Sequence, residues 1–115
     1  MDNTASAVKE VRHSKDTTVI VLSGEIDLHH VPQVHPALVK ECDARPATLI
    51  IDLTDVAYMD SSGVGVLVHV FQKVKGYRGK LRLVGMRERV RSVFEITRLD
   101  KYFVICDTEE EALNA

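Results

Sequence analysis

Two adjacent serines, Ser61 and Ser62, stand out as residues that could do chemistry, within Met59-Asp-Ser-Ser-Gly-Val-Gly65. Asp60 and both serines are of types that cap helix N-termini, and the apolar residues behind them recur with helical spacing. A hydroxyl at such a position can cap the helix by accepting a hydrogen bond from a backbone N–H of the first turn, or it can carry a phosphoryl group. The sequence therefore predicts that Ser61 or Ser62 is either a cap or a modification site.

A serine at a strand-to-helix turn could also be a hydrolase nucleophile. That site needs Gly-x-Ser-x-Gly, and Met59 stands where the first glycine would precede Ser61. The histidines that could serve as a base are His29, His30, His35 and His69. No sequence pattern places any of them beside Ser61 together with an orienting carboxylate. Their spacing is also not that of metal ligands. We expect a protein that is not an enzyme and has no metal or cofactor, with His29 and His30 as solvated residues.

The segment from Ala47 to Leu53 is nearly all apolar, which predicts a central strand that leads through a short acidic loop into the serine-initiated helix. One face of that helix has the spacing of a helix packed on a sheet, with Val64, Leu67, Val68, Phe71 and Val74. A second apolar stripe contains Val66, Val70 and Tyr77. This stripe predicts either a broadly buried helix or a docking surface for a partner beside the serines.

The other elements are read from the same kinds of pattern. Gly24 is predicted to end the second strand, with a link over residues 25–27, and Pro36 places the start of the first helix near Val34, with Pro32 in its lead-in. Thr108 and Glu111 fit a capping box. The remaining predicted elements are a hairpin of Val8–His13 and Thr17–Ser23, a strand Lys80–Val84, a helix Arg87–Thr97, a strand Tyr102–Cys106 and a helix Thr108–Leu113. Strands that alternate with helices after a hairpin predict an α/β domain with a mixed sheet.

Composition limits the class of protein. The 115 residues predict one domain, with residues 1–6 as a loose terminus, and 45% hydrophobic residues suffice for a core. A net charge of -2 argues against a nucleic-acid surface, and no apolar run approaches a membrane span. The cysteines Cys42 and Cys106 follow no ligand spacing, which predicts inert thiols in a reducing cytoplasm. A protein is the expected partner.

Three motifs together resemble the STAS domain, and more narrowly the bacterial anti-sigma factor antagonists: Gly24-Glu-Ile-Asp27, Asp52-Leu-Thr-Asp55 and Met59-Asp-Ser-Ser-Gly-Val-Gly65. The resemblance covers essentially the whole chain and implies a single STAS domain over residues 1–115, a mixed sheet with helices mainly on one face. It also implies a protein that is monomeric when free. Its implied partners are an ATP-dependent serine kinase that is itself an anti-sigma factor, and a serine phosphatase that restores the unphosphorylated form.

The resemblance assigns roles to particular residues. Ser61 takes the position of the phosphoacceptor, and its neighbour Ser62 is at a position where the family accepts Ser or Thr. Asp27 takes the family's acidic position near the same end of the sheet, and Asp60 precedes the acceptor. The expected set of residues that bind the partner or support the switch is Asp27, Asp60, Ser62, Gly63, Val66 and Val70. Gly63 and Gly65 are expected to serve close packing first and partner access second.

The function implied is that of an anti-sigma factor antagonist. Unphosphorylated, it would bind the anti-sigma kinase and release a sigma factor; phosphorylation of Ser61 would block binding without unfolding the domain, because a helix N-terminus can hold the added anion. The alternative is a STAS accessory subunit without a switch, in a sensory, secretion-regulating or lipid-transport assembly.

Overall fold

A mixed five-stranded sheet organises the chain, and the computed structural model describes residues 7–115. The expected loose terminus at residues 1–6 lies outside the described residues. The elements in chain order are β1 (Val8–Ser14), β2 (Thr17–Ile26), α1 (Val31–Asp43), β3 (Thr48–Met59), α2 (Ser61–Gly76), β4 (Lys80–Val84), α3 (Glu88–Ile96), β5 (Val104–Cys106) and α4 (Glu109–Asn114). The strands lie in the order β1-β2-β3-β4-β5. Strand β1 is antiparallel to β2 and the other neighbouring pairs are parallel, which confirms the mixed α/β sheet.

The helices lie mainly on one face of the sheet, as expected. Alternate residues of the central strands, such as Ile51 and Leu83, form one large core with buried residues of α1, α2 and α3, among them Leu38, Leu67 and Phe94. The opposite face has a smaller core in which Ile50, Val84 and Cys106 pack with Ala112 of α4. No helix within residues 7–115 has both the length and the apolar character needed to cross a membrane.

Strands β2 and β3 both extend further than the sequence predicts. Strand β2 passes through Gly24, where φ is +81°, and the two strands stay paired as far as Ile26 and Met59. A register shift at Gly24 and Glu25 lets pairing continue past the glycine. The predictions that Gly24 ends the strand and that an acidic loop follows Leu53 are therefore wrong. The backbone N–H and C=O groups of these residues find hydrogen-bond partners on the neighbouring strand, which keeps both strands extended.

Helix α1 begins at Val31, so the prediction of a start near Val34 is wrong. Pro32 lies in the first turn, as prolines prefer, but Pro36 lies inside the helix. Pro36 has no N–H to donate to the carbonyl of residue 32, a defect of about 3 kcal/mol in a helix interior. Complete burial of Leu38 and Val34 against the sheet contributes about 1.5–3 kcal/mol per side chain, enough to offset that cost.

The C-terminal elements follow the sequence-based expectations with small differences. Strand β4 has the predicted bounds, and α3 lies within its predicted range with Val90 and Phe94 buried. Strand β5 is shorter than predicted, because the N–H groups of Tyr102 and Phe103 donate to the carbonyl of Leu99 in a turn.

Helix α4 begins with most of the predicted capping box. The Thr108 hydroxyl accepts the N–H of Glu111 at 3.1 Å, as the box requires. The Glu111 carboxylate accepts the N–H of Asp107, one residue before the expected donor, at 3.0 Å.

Candidate functional site

Asp60 is the residue that caps α2. Its backbone is extended, and its Oδ1 accepts the N–H groups of Ser62 at 2.9 Å and Gly63 at 3.2 Å. Its Oδ2 accepts the N–H of Leu28 at 3.2 Å, and its own N–H donates to the carbonyl of Ile26. One carboxylate therefore joins the start of α2 to the loop between β2 and α1.

Ser61 is the first residue of α2 and is exposed. Within residues 7–115 its hydroxyl has no hydrogen-bond partner, and it caps nothing. The neighbouring Ser62 is half-buried and uses its N–H, rather than its hydroxyl, in the cap. Asp60, rather than either serine, is therefore the side-chain cap of α2.

The two glycines of the motif differ in purpose. A Cβ on Gly63 would lie 2.6 Å from the carbonyl oxygen of Ile26 and 2.7 Å from Cγ of Met59, so Gly63 is needed where α2 approaches the ends of β2 and β3. A Cβ on Gly65 would meet no atom of the described residues within 4 Å. The packing expectation is confirmed for Gly63, while Gly65 leaves backbone bare on the surface.

Asp27 organises the loop that faces the α2 cap. Its Oδ1 accepts the backbone N–H of His30 at 3.1 Å and lies 2.7 Å from Nδ1 of the same residue. The hydrogen bond with the His30 side chain lowers the pKa of Asp27 below its ordinary value. His30 is therefore half-buried against a carboxylate, so its prediction as a solvated residue is wrong, whereas His29 is exposed.

An open groove of about 510 Å³ lies between this loop and the end of β3. Its lining residues are Asp27, Leu28, His29, Tyr58 and Asp60. Leu28 is 72% exposed and Tyr58 is 37% exposed, and the Arg89 guanidinium lies 5.6 Å from the Tyr58 ring centroid. Leu28, Tyr58 and Arg89 were not predicted as site residues, although an apolar residue beside Asp27 in a polar loop is a usable signal for Leu28.

Val66 and Val70 are not available to a partner. They are 5% and 0% exposed and belong to the core on the α1, α2 and α3 side of the sheet, so their prediction as partner-binding residues is wrong. Tyr77 of the same stripe is half-buried, and its hydroxyl donates to the carbonyl of Pro46 at 2.8 Å. The second apolar stripe thus indicates a broadly buried helix. The exposed residues of α2 are Ser61, Gly65, His69, Gln72, Lys75 and Gly76.

Across the described part of the chain, no cluster of three or more His, Cys, Asp or Glu side chains could hold a metal ion. Cys42 and Cys106 are both buried, as expected of inert thiols, and burial raises the pKa of Cys42 to about 11.

The fold and the site define a small α/β domain that presents the start of one helix, with an exposed serine, beside a groove at the end of its parallel strands. The chain belongs to the STAS domain family, whose profile matches residues 8–112.

Named relatives are similar over nearly the full length. The anti-sigma-B factor antagonist of Listeria monocytogenes is 37% identical over 109 residues, which is 95% of this chain and 94% of the relative. The solved structure of the anti-sigma factor antagonist SpoIIAA in its unphosphorylated form matches with a TM-score of 0.77 and 29% identity, over 91% of this chain and 92% of that one. The phosphorylated form of the Bacillus cell fate determinant SpoIIAA matches with a TM-score of 0.71 and 27% identity, over 91% and 96%.

Proposed function

We propose that this protein is an anti-sigma factor antagonist whose binding is switched by phosphorylation of Ser61. Unphosphorylated, it binds an anti-sigma factor that is also an ATP-dependent serine kinase, and a sigma factor is released. That kinase phosphorylates Ser61, and a serine phosphatase reverses the modification. The proposal places the protein in the bacterial cytoplasm, as a monomer when free, acting by binding rather than by catalysis.

The observation that carries the proposal is the division of roles between Asp60 and Ser61. Asp60 supplies the side-chain cap of α2, which leaves the Ser61 hydroxyl exposed with no partner within residues 7–115. A kinase can therefore reach Ser61 without breaking a hydrogen bond that holds the helix. The relatives add support, since one is named an anti-sigma-B factor antagonist and another has been solved in both unphosphorylated and phosphorylated forms.

The local charges explain how a phosphate would block binding. Phosphorylation adds about -1.5 to -2 charges at neutral pH. The N–H groups of Ser62 and Gly63 already donate to the Asp60 carboxylate, so the expectation that the helix N-terminus holds the added anion fails for these two groups. The phosphate would therefore project beside Asp60 as uncompensated negative charge on the surface that the partner meets.

Repulsion of this size is enough for a switch. If docking brings a partner carboxylate to about 4 Å from the phosphate, one like-charge contact costs up to about 4 kcal/mol at an effective dielectric of 20. At about 1.4 kcal/mol per decade, that contact weakens binding by about a thousandfold. The domain itself stays folded, because Ser61 is exposed and outside the core.

The docking surface follows from exposure around Ser61. The exposed face of α2 includes the bare backbone at Gly65, which allows a close approach. Leu28 and Tyr58 provide apolar surface in the adjoining groove, and tyrosine is among the residues that contribute most to binding at interfaces. We assign Asp27 to positioning this loop through His30, and Asp60 and Gly63 to positioning Ser61.

The test is a capture experiment from lysate of the source organism with four baits: wild type, Ser61→Asp, Ser61→Ala and the matched control Ser62→Ala. With ADP present, wild type, Ser61→Ala and Ser62→Ala should retain a small ATP-binding protein that Ser61→Asp does not. With ATP, the retained protein should phosphorylate wild type and Ser62→Ala but not Ser61→Ala. Retention of the same proteins by all four baits, without a kinase, would favour the accessory-subunit function instead.

A further inference from the structure

A pair of histidines joins α1 to α2. His35 Nε2 and His69 Nδ1 lie 2.7 Å apart, a hydrogen-bond distance, and the ring centroids are 4.9 Å apart with planes at 75°. Two imidazole nitrogens at this separation share one proton, because one ring must donate to the lone pair of the other. His69 is exposed and His35 half-buried, so the point where the two nitrogens meet is open to water.

We propose that His35 and His69 form a binding site for a late first-row divalent cation of the Zn²⁺, Ni²⁺ and Cu²⁺ type. Neutral imidazole nitrogen is a good ligand for these ions, and here two such nitrogens converge from different helices. Ion binding replaces the shared proton, which moves to the other nitrogen of its own ring.

Ion binding requires the two rings to move apart. Zinc–nitrogen bonds are about 2.0–2.1 Å long, so two nitrogens at a tetrahedral angle are about 3.3–3.4 Å apart. The observed 2.7 Å therefore has to widen by about 0.6–0.7 Å, which rotation of the exposed His69 side chain can supply. Water completes the coordination, because the part of the chain that the structure describes supplies no third ligand.

The other histidines make different contacts. His13 and His30 each pair with one carboxylate, Glu41 at 2.8 Å and Asp27 at 2.7 Å. His29 is exposed, and its ring makes an edge contact with the ring of His30. The His35–His69 pair is distinguished by two nitrogens directed at each other with no carboxylate, which favours borderline transition-metal ions over Mg²⁺ or Ca²⁺.

The test is isothermal titration of tag-free protein with Zn²⁺, Ni²⁺ and Mg²⁺ at pH 7.5, on wild type, His35→Gln, His69→Gln and the matched control His29→Gln. Wild type and His29→Gln should bind one Zn²⁺ or Ni²⁺ per chain, and Mg²⁺ should give no heat. Because both ligands act on one ion, either pair substitution should weaken binding by about 10²-fold. Thermal melts in chelator show whether each variant folds as wild type does.

Three further readouts separate a built site from adventitious binding. The ion should raise the melting temperature of wild type but of neither pair variant, since it links two helices in the folded state. Binding should weaken on acidification, because protons compete with the ion for the imidazole lone pairs. NMR should show both imidazoles shifting together. Equal affinity in all four proteins, or a shift of only one ring, would overturn the proposal and leave an adventitious ion only.

Discussion

The carboxylate of Asp60 accepts the backbone N–H of Leu28, 32 residues earlier in the chain, with the oxygen that it does not use to cap α2. The same side chain thus fixes the start of α2 and the exposed apolar residue of the neighbouring loop. The residue before the proposed phosphoacceptor is therefore also the link between Ser61 and the groove.

Substitutions at Asp60 should separate its two roles. Asp60→Ala removes the cap and should lower the free energy of unfolding by about 1 kcal/mol or more. Asp60→Asn keeps one oxygen for the cap but offers an NH₂ group to the Leu28 N–H, so it should cost less and mainly speed amide exchange at Leu28. Urea denaturation and hydrogen exchange measure the two effects. Equal losses in both variants would contradict this division of the two oxygens.

Ser61→Ala should leave the free energy of unfolding within about 0.5 kcal/mol of wild type, as is usual for exposed positions. The reason is that its hydroxyl makes no hydrogen bond within residues 7–115. Asp60→Ala in the same urea series is the comparison. A loss at Ser61 as large as that at Asp60 would mean that the serine shares the cap in solution.

The elements with strong local patterns were predictable. The residues of β4 and the core face of α2 follow the periods of a strand and a helix, and both were found as expected. The extension of β3 to Met59 was not predictable, because polar and apolar residues alternate irregularly near its end. Pairing with β2 holds these residues as a strand. Pro36 likewise lies inside α1 because the helix packs on the sheet, although prolines are usually confined to the first turn of a helix.

The site was predictable in its position but not in its roles. Three residues in a row, Asp60, Ser61 and Ser62, are all capable caps, and only the backbone geometry selects one of them. The pairing of His35 with His69 depends on how two helices pack across 34 residues of sequence, so no local pattern could reveal it.

Cys42 should be unreactive while the protein is folded. Burial raises its pKa to about 11, and the thiolate is the reactive form. In a Cys106→Ala background, alkylation at pH 8 should therefore be about 10²-fold slower in the native protein than in urea, since an ordinary thiol has a pKa of about 8.5. Similar rates in the two conditions would show that the C-terminal part of α1 opens readily.

Acid should remove the stabilising contribution of Asp27. Its pKa is lower in the folded state than in the unfolded state, mainly because of the hydrogen bond with the His30 side chain. The contribution to stability is therefore fully present above the unfolded pKa of about 3.9, and it is lost as the pH falls through the folded pKa. The stability difference between wild type and Asp27→Asn should thus shrink as the pH falls below about 4. Urea titrations from pH 7 to pH 3 measure it. Glu25→Gln, at an exposed carboxylate, is the control, and a difference that does not shrink between about pH 4 and pH 3 would contradict the assignment.

Alanine at the two motif glycines should change stability in opposite directions. Gly65→Ala should raise the free energy of unfolding by up to about 1 kcal/mol, because the new methyl group meets nothing and alanine favours the helix. Gly63→Ala should lower it by about 1–3 kcal/mol, because its Cβ would collide with the Ile26 carbonyl. Gly76→Ala, in the last turn of α2 and equally open, is the matched control for helix propensity.

The bare backbone at Gly65 can be tested as part of the docking surface. If a partner approaches the backbone of α2 beside Ser61, Gly65→Ala should make the protein more stable and its capture of the partner weaker, while Gly76→Ala leaves capture unchanged. Such a variant loses binding without losing structure, so the loss cannot be ascribed to unfolding. Unchanged capture by Gly65→Ala would mean that the partner does not contact this turn, and would confine the docking surface to Ser61 and the groove with Leu28 and Tyr58.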